Sequence, residues 1–236
     1  MLTGRDDSPS IDDVGTAPIV VLEGVDGAGK SSQARAVAAS LRSRGLLVAE
    51  PTRDPDRRIR KTYKRLIAEA DRFPSARTSV FLGLSDYADA LHSSDAVPCD
   101  IRLFERYCYS AIADGIALGL PRGDATSLAR FFPAPSITIF IDLRAEEALA
   151  RKGSCTLAEA GGPDHARHHP SLEASFVAYQ EKVRAAYRHL GRVGAIANLC
   201  IVDGATGFDQ VTASILEQID VSLFPHVVPG LRKAFR

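Results

Sequence analysis

Residues 19–45 set a β-rich run, a glycine turn and an amphipathic helix in immediate succession, and that order constrains the fold more than anything else in the chain. Ile19, Val20, Val21 and Leu22 form a short apolar run. Gly24, Gly29, Lys30 and Ser31 follow, with Val25, Asp26, Gly27 and Ala28 between, and match the pattern G-x-x-x-x-G-K-[ST]. Ala34, Val37, Ala38 and Leu41 then recur at i, i+3, i+4 and i+7, one face of a helix, and Gly45 stands where that helix stops. Glycine tolerates positive φ, so a loop of this kind can turn backbone N–H groups inward onto a polyphosphate. In this pattern Lys30 reaches the β- and γ-phosphates and Ser31 offers a hydroxyl to magnesium. Gly24, Asp26, Gly27, Gly29 and Ser32 complete the predicted nucleotide-binding loop. A chance glycine turn has no reason to lie between a strand and a helix.

The rest of the chain fits an α/β fold with a parallel sheet. Further apolar runs at Leu46–Ala49, Ile101–Phe104, Ile137–Asp142 and Leu199–Asp203 read as strands covered on both faces. Helical segments lie between them, the clearest over Glu173–Leu190, where Phe176, Tyr179, Gln180, Val183, Tyr187 and Leu190 share a face. The expected architecture is therefore a five-stranded parallel sheet flanked by helices, built from βαβ units. Residues 1–16 are polar and acidic and read as a flexible tail. Residues 17–222 read as one domain, and 223–236 as a C-terminal tail. Residues 151–170 break the rhythm with glycine, proline, three histidines and three basic side chains, and are expected to form a small lid over the phosphates.

Composition narrows the partners. The formal net charge is zero, so no global field draws the chain to nucleic acid or an anionic membrane. No apolar run approaches spanning length. The four cysteines are scattered without a C-x-x-C pair, which predicts reduced thiols and a cytoplasmic protein. His165, His168 and His169 lack the accompanying cysteine or carboxylate pattern of a zinc site and read as solvated lid residues. Cys108 is given no role. The basic run Arg57, Arg58, Arg60, Lys61, Lys64 and Arg65 reads as the outer face of a helix, an acceptor-phosphate contact from its first turn being the alternative.

In an open parallel sheet the ligand lies beyond the carboxyl ends of the strands. Glu50-Pro51-Thr52-Arg53-Asp54-Pro55 follows the second strand, and Glu105-Arg106-Tyr107 follows the third. An arginine fork there suits a phosphate, and an acid beside it suits an arginine or a hydrated Mg²⁺.

With Glu23 before Gly24–Ser31, then Thr52-Arg53-Asp54-Pro55, then Glu105-Arg106-Tyr107 and Ser110, the chain resembles the thymidylate kinase family over roughly residues 18–218. Pro135–Asp142 is similar to that family's fourth strand, and Val202-Asp203-Gly204-Ala205 to the loop beside the donor adenine. The resemblance implies a P-loop kinase fold that uses ATP and Mg²⁺, with Ser31 and Glu105 at the metal and Asp203 and Ala205 near the adenine. It implies a nucleoside monophosphate acceptor, dTMP in the first place, whose phosphate meets Arg53 and Arg106. Asp26 would contact the acceptor sugar. Gly27 implies that cations at the transferring phosphoryl group come from the lid, with Arg151, Lys152 and Arg167 as candidates. A homodimer is implied as well.

The departures gather where the base is read. The family places a phenylalanine under the base and an arginine four residues later; Phe81 fits the first, but Ser85 stands at the second. Asp114-Gly115 stands where the family has Tyr-Gln, so Phe81, Ser85, Ser110 and Asp114 are the expected substrate-facing set. Three alternatives remain open at this point. Glu50-Pro51 and Glu105-Arg106 also resemble deoxynucleoside kinases, in which Glu50 would act as a base. A specialised kinase could act on another nucleotide or a small metabolite. A nucleotide-binding protein without an acceptor would need neither Arg53 nor Arg106.

Overall fold

The computed structural model describes residues 17–68 and 73–224. The expected tails at 1–16 and, from residue 225, at the C-terminus lie outside the described residues. Five parallel strands, β1 (Ile19–Glu23), β2 (Val48–Ala49), β3 (Ile101–Glu105), β4 (Ile137–Asp142) and β5 (Leu199–Asp203), form one sheet in the order β2-β3-β1-β4-β5. β1 therefore lies between strands whose connections leave in opposite directions. That is the switch point at which ligands bind in open α/β sheets.

The three central strands, β1, β3 and β4, are buried on both faces, which explains their unbroken apolar runs, while β5 leaves Ile201 exposed. Ile19 and Val21 of β1 pack into one core with Phe104 and Phe140, while Val20 and Leu22 pack into the other with Leu103 and Ile139. The first core is closed by α3 (Ala76–Asp95), α4 (Cys108–Ala117) and α8 (Leu172–Arg192); the second by α1 (Lys30–Ser43) and α9 (Phe208–Leu223). The six residues that mark the predicted face of α8 are all buried. Ala34, Val37, Ala38 and Leu41 of α1 are sealed from solvent, and Gly45 adopts φ 87° just past the helix end. β2 is shorter than the apolar run suggested: Leu47 is 61% exposed, because this edge strand has a neighbour on one side alone.

The shorter helices position the site. A 3₁₀ turn over Pro51–Arg53 leads into α2 (Arg58–Ala68); α5 (Arg122–Ser127) follows α4; α6 (Ala145–Lys152) follows β4; and α7 (Pro163–Ala166) precedes α8. Arg57 is not on an outer face. It is 7% exposed, ion-paired with Asp86 of α3, and donates to the Thr52 carbonyl at 2.8 Å. It thereby ties the turn after β2 to α3.

Candidate active site

The loop from Gly24 to Gly29 turns over the end of β1, with Gly27 at φ 87° and Gly29 at φ 95°. Lys30, first residue of α1, is buried and folds back on the loop. Its Nζ donates to the carbonyls of Gly24 at 2.8 Å and Val25 at 2.6 Å. Burial, reinforced by the Arg106 charge, brings its pKa down to about 8 despite the attraction of Asp26 and Glu23. The Ser31 hydroxyl donates to the Glu105 carboxylate, while the Glu105 backbone N–H is held by Thr52 Oγ1 at 2.9 Å. One hydroxyl and one carboxylate at the phosphate end are hard oxygen donors of the kind Mg²⁺ uses beside substrate phosphates. They fit that ion.

A mouth of about 790 Å³ opens over this loop. Gly27, Gly29, Lys30, Ser31 and Ser32 line it from below, Arg151 and Lys152 from α6, and Ala205 with Phe208 from the β5–α9 turn. Asp203 shapes that turn by accepting from Ala205 N at 2.9 Å. The close seat of α6 on the loop depends on glycine: a Cβ at Gly27 would lie 2.5 Å from the Ala148 carbonyl oxygen. Arg167, by contrast, pairs with Asp164 at 2.8 Å and lines neither this mouth nor the adjoining cavity.

The second cavity, about 250 Å³, begins where the mouth ends, with Asp26, Arg60, Arg106 and Glu159 common to both. Arg106 adopts φ 71°, left-handed for a non-glycine residue, and its guanidinium is ion-paired with Asp26 and donates to Ser110 Oγ at 3.2 Å. Burial works against the Asp26 carboxylate, but Arg106 and Lys30 outweigh it and hold the group below its ordinary value. Gln180 of α8 fixes the same residue, accepting from Asp26 N at 2.9 Å. Behind them lies Glu23, fully buried, which accepts from Tyr107 N at 2.9 Å, Ser110 Oγ at 2.6 Å and Tyr187 Oη at 2.7 Å. Sequence reading gave Glu23 no role beyond the motif. Its signal was there: an acid closing an apolar strand is sealed in the core only with donors around it.

The far end of this cavity differs from the expected set. Ser79, Gly83 and Tyr87 of α3 line it, spaced four apart on one face. Phe81 is 59% exposed and Ser85 donates to the Phe81 carbonyl at 2.8 Å; both are on the opposite face of α3 and line neither cavity. The expectation that they meet the base is corrected by helical phase: two residues along a helix is more than half a turn. The pair four apart that does face the cavity is Gly83 and Tyr87. Ser110 and Asp114 line it from α4 as expected, joined by Tyr63, Phe73 and Tyr179. Arg53 does not line it. That side chain lies 3.3 Å from Glu50 Oε2, out of line for a hydrogen bond, and Glu50 also pairs with Arg42 at 3.0 Å. Arg60 of α2 occupies the position between the two spaces.

The thymidylate kinase family model matches residues 22–215. The chain belongs to the thymidylate kinase family. It is 29% identical over 228 residues to the probable thymidylate kinase of Pyrococcus horikoshii, covering 90% of this chain and 98% of the relative. It is 30% identical over 228 residues to the thymidylate kinase of Ruegeria pomeroyi, covering 86% and 94% respectively. The probable thymidylate kinase of Pyrococcus abyssi is 30% identical over 227 residues, with 90% and 98% covered.

His165 stacks on His169 at 4.7 Å and bonds Ser175 and Lys182 at 3.0 Å each, and no metal-binding cluster occurs among the described residues. Burial pushes the Cys108 thiol far up, away from the thiolate that reacts. Thr156, Ala158, Glu159 and Gly161 of the 151–170 segment lie over the second cavity. No helix among the described residues is long and apolar enough to cross a membrane.

Proposed function

We propose that the protein transfers the γ-phosphoryl group of ATP to a nucleoside monophosphate, with dTMP, the acceptor its family carries, giving dTDP. The observation that carries this reading is the pair of adjoining spaces that share Asp26, Arg60 and Arg106: one over a P-loop, one beside it with room for an acceptor. ATP phosphates lie on the loop with Lys30 released from the Gly24 and Val25 carbonyls. Ser31 and Glu105 would hold Mg²⁺, which would supply positive charge beside the phosphates. The acceptor phosphate meets Arg106 and Arg60, the latter taking the part the resemblance assigns to Arg53. Asp26 orients Arg106 and faces the acceptor sugar. An ionised phosphate needs no strong base, so positioning and charge stabilisation carry the reaction. Arg151 and Lys152 reach the transferring group from α6, and the 151–170 segment closes over both ligands as a lid.

A nucleoside kinase is the weaker reading. Its base would be Glu50, which is engaged with Arg42 and Arg53 and lines neither space. We read the protein as a cytoplasmic homodimer whose contact includes the outer face of α3, where Phe81 is exposed. Purified protein incubated with ATP, Mg²⁺ and dTMP should yield dTDP and ADP in equal amounts by chromatography. ADP release that ignores every added monophosphate would refute the proposed transfer.

A further inference from the structure

The seam between α3 and α4, at the wall of the acceptor cavity, is built on glycine. At Gly83 a Cβ would lie 2.9 Å from the Ala111 Cβ, and at Gly115 one would lie 2.5 Å from Val80 Cγ2. The two helices therefore meet through glycines, and neither position has space for a stacking ring or an amide. Tyr87, the cavity-facing residue one turn beyond Gly83, carries a phenol, and no arginine projects from α3 into the space. On α4 the residue one turn beyond Ser110 is Asp114. Its carboxylate accepts one hydrogen bond among the described residues, from Tyr179 Oη at 3.2 Å. The cation beside it, Arg106, is committed to Asp26. A carboxylate has about four lone-pair sites, so most of the acceptor capacity of Asp114 is left for a ligand.

That wall suits a ligand that donates. Thymine offers a single ring N–H between two carbonyls, and a carbonyl turned to a carboxylate is repelled. An exocyclic amine or a 2′-hydroxyl donates without that penalty. Building on the monophosphate-kinase reading, we propose that Asp114 is a specificity-determining residue that accepts a hydrogen bond from the acceptor. The pocket thus favours monophosphates bearing an exocyclic amine or a second sugar hydroxyl over dTMP, which has neither. A carboxylate that merely holds Tyr179 would affect stability and leave the ranking of acceptors alone.

Matched pairs separate the two donors. dCMP against dUMP differs by the amine, and UMP against dUMP by the 2′-hydroxyl. The wild-type kcat/KM should favour the donor-bearing member of at least one pair and exceed that for dTMP. A hydrogen bond to a charged group is worth on the order of 10- to 100-fold, and Asp114→Asn should erase about that factor from the responding pair. Tyr179→Phe, which leaves the carboxylate in place, should retain the preference. Calorimetric titration of the same monophosphates without ATP reads the pocket independently of transfer. Donor-dependent binding without turnover would sink the phosphotransfer reading and uphold the assignment of Asp114. Equal members in both pairs, or dTMP preferred by wild type and Asp114→Asn alike, overturns that assignment.

Discussion

Gly27 and Gly29 allow the contact between α6 and the P-loop to be weighed against an internal control. Both residues are left-handed, at φ 87° and 95°, so alanine at either incurs about 1–2 kcal/mol of backbone strain. Their surroundings differ. A Cβ at Gly29 meets nothing within 4 Å, whereas one at Gly27 lies 2.5 Å from the Ala148 carbonyl oxygen and 3.2 Å from its Cβ. Relieving that overlap means moving α6, an overpacking cost of about 1–3 kcal/mol. Gly29→Ala should therefore lose about 1–2 kcal/mol, and Gly27→Ala about 2–5 kcal/mol, by urea unfolding. At roughly 2–4 °C per kcal/mol for a chain of this size, Gly27→Ala should melt about 2–12 °C below Gly29→Ala. Arg151 and Lys152 sit one turn beyond Ala148 on α6, so displacing the helix also draws them from the P-loop mouth, and kcat should fall further in Gly27→Ala. Equal melting and equal kcat in the two variants would refute the claim that α6 rests on Gly27.

The phosphate machinery yields further expectations. Lys30→Ala should lower kcat on the order of 10²- to 10³-fold in a folded protein, measured by coupled ADP release. Because Lys30 is depressed to about 8, it is charged below that pH and neutral above. ATP affinity of the nucleotide-free enzyme should therefore weaken as pH rises through about 8, by fluorescence titration. Arg60→Ala should raise the acceptor KM on the order of 10-fold or more, and Arg53→Ala much less, since Arg60 lines the acceptor cavity and Arg53 does not. Ser31→Ala and Glu105→Gln should each raise the Mg²⁺ concentration for half-maximal rate by at least about 10-fold, read from a metal titration at fixed ATP.

The sheet was legible because burial on both faces leaves a plain mark. That mark is plainest in β1, β3 and β4, and all five runs contain strands, with β2 reduced to Val48–Ala49 at the exposed edge. The P-loop was legible for a related reason: its chemistry lies in backbone N–H groups, and only glycine spacing delivers them. Arg106, which lines both spaces, was singled out by following the strand ends, since topology alone brings those ends to one mouth; Ser110 entered only through the family resemblance. Arg57 and Arg60 were harder. In a run of six basic residues, which one is sealed against Asp86 and which one faces the cavity depends on the direction of α2, and the charge pattern carries no trace of it.

The base end was misread through phase, and the error has physical content. Phe81 and Ser85 matched the family by residue type and spacing, yet a spacing of four fixes only that two residues share a face, not which face. The structure decides that through packing: Val80, Leu84 and Tyr87 are buried, Gly83 presses on Ala111, and Phe81 is thereby turned outward. The cavity is left with Gly83 and Tyr87 on its α3 side and Asp114 on its α4 side. The phosphate end and the base end of one site have thus come under different constraints. The first is set by the backbone at the ends of β1 and β3. The second is set by side chains on α3 and α4, where a glycine seam and one carboxylate can re-aim recognition while the transfer chemistry stays in place.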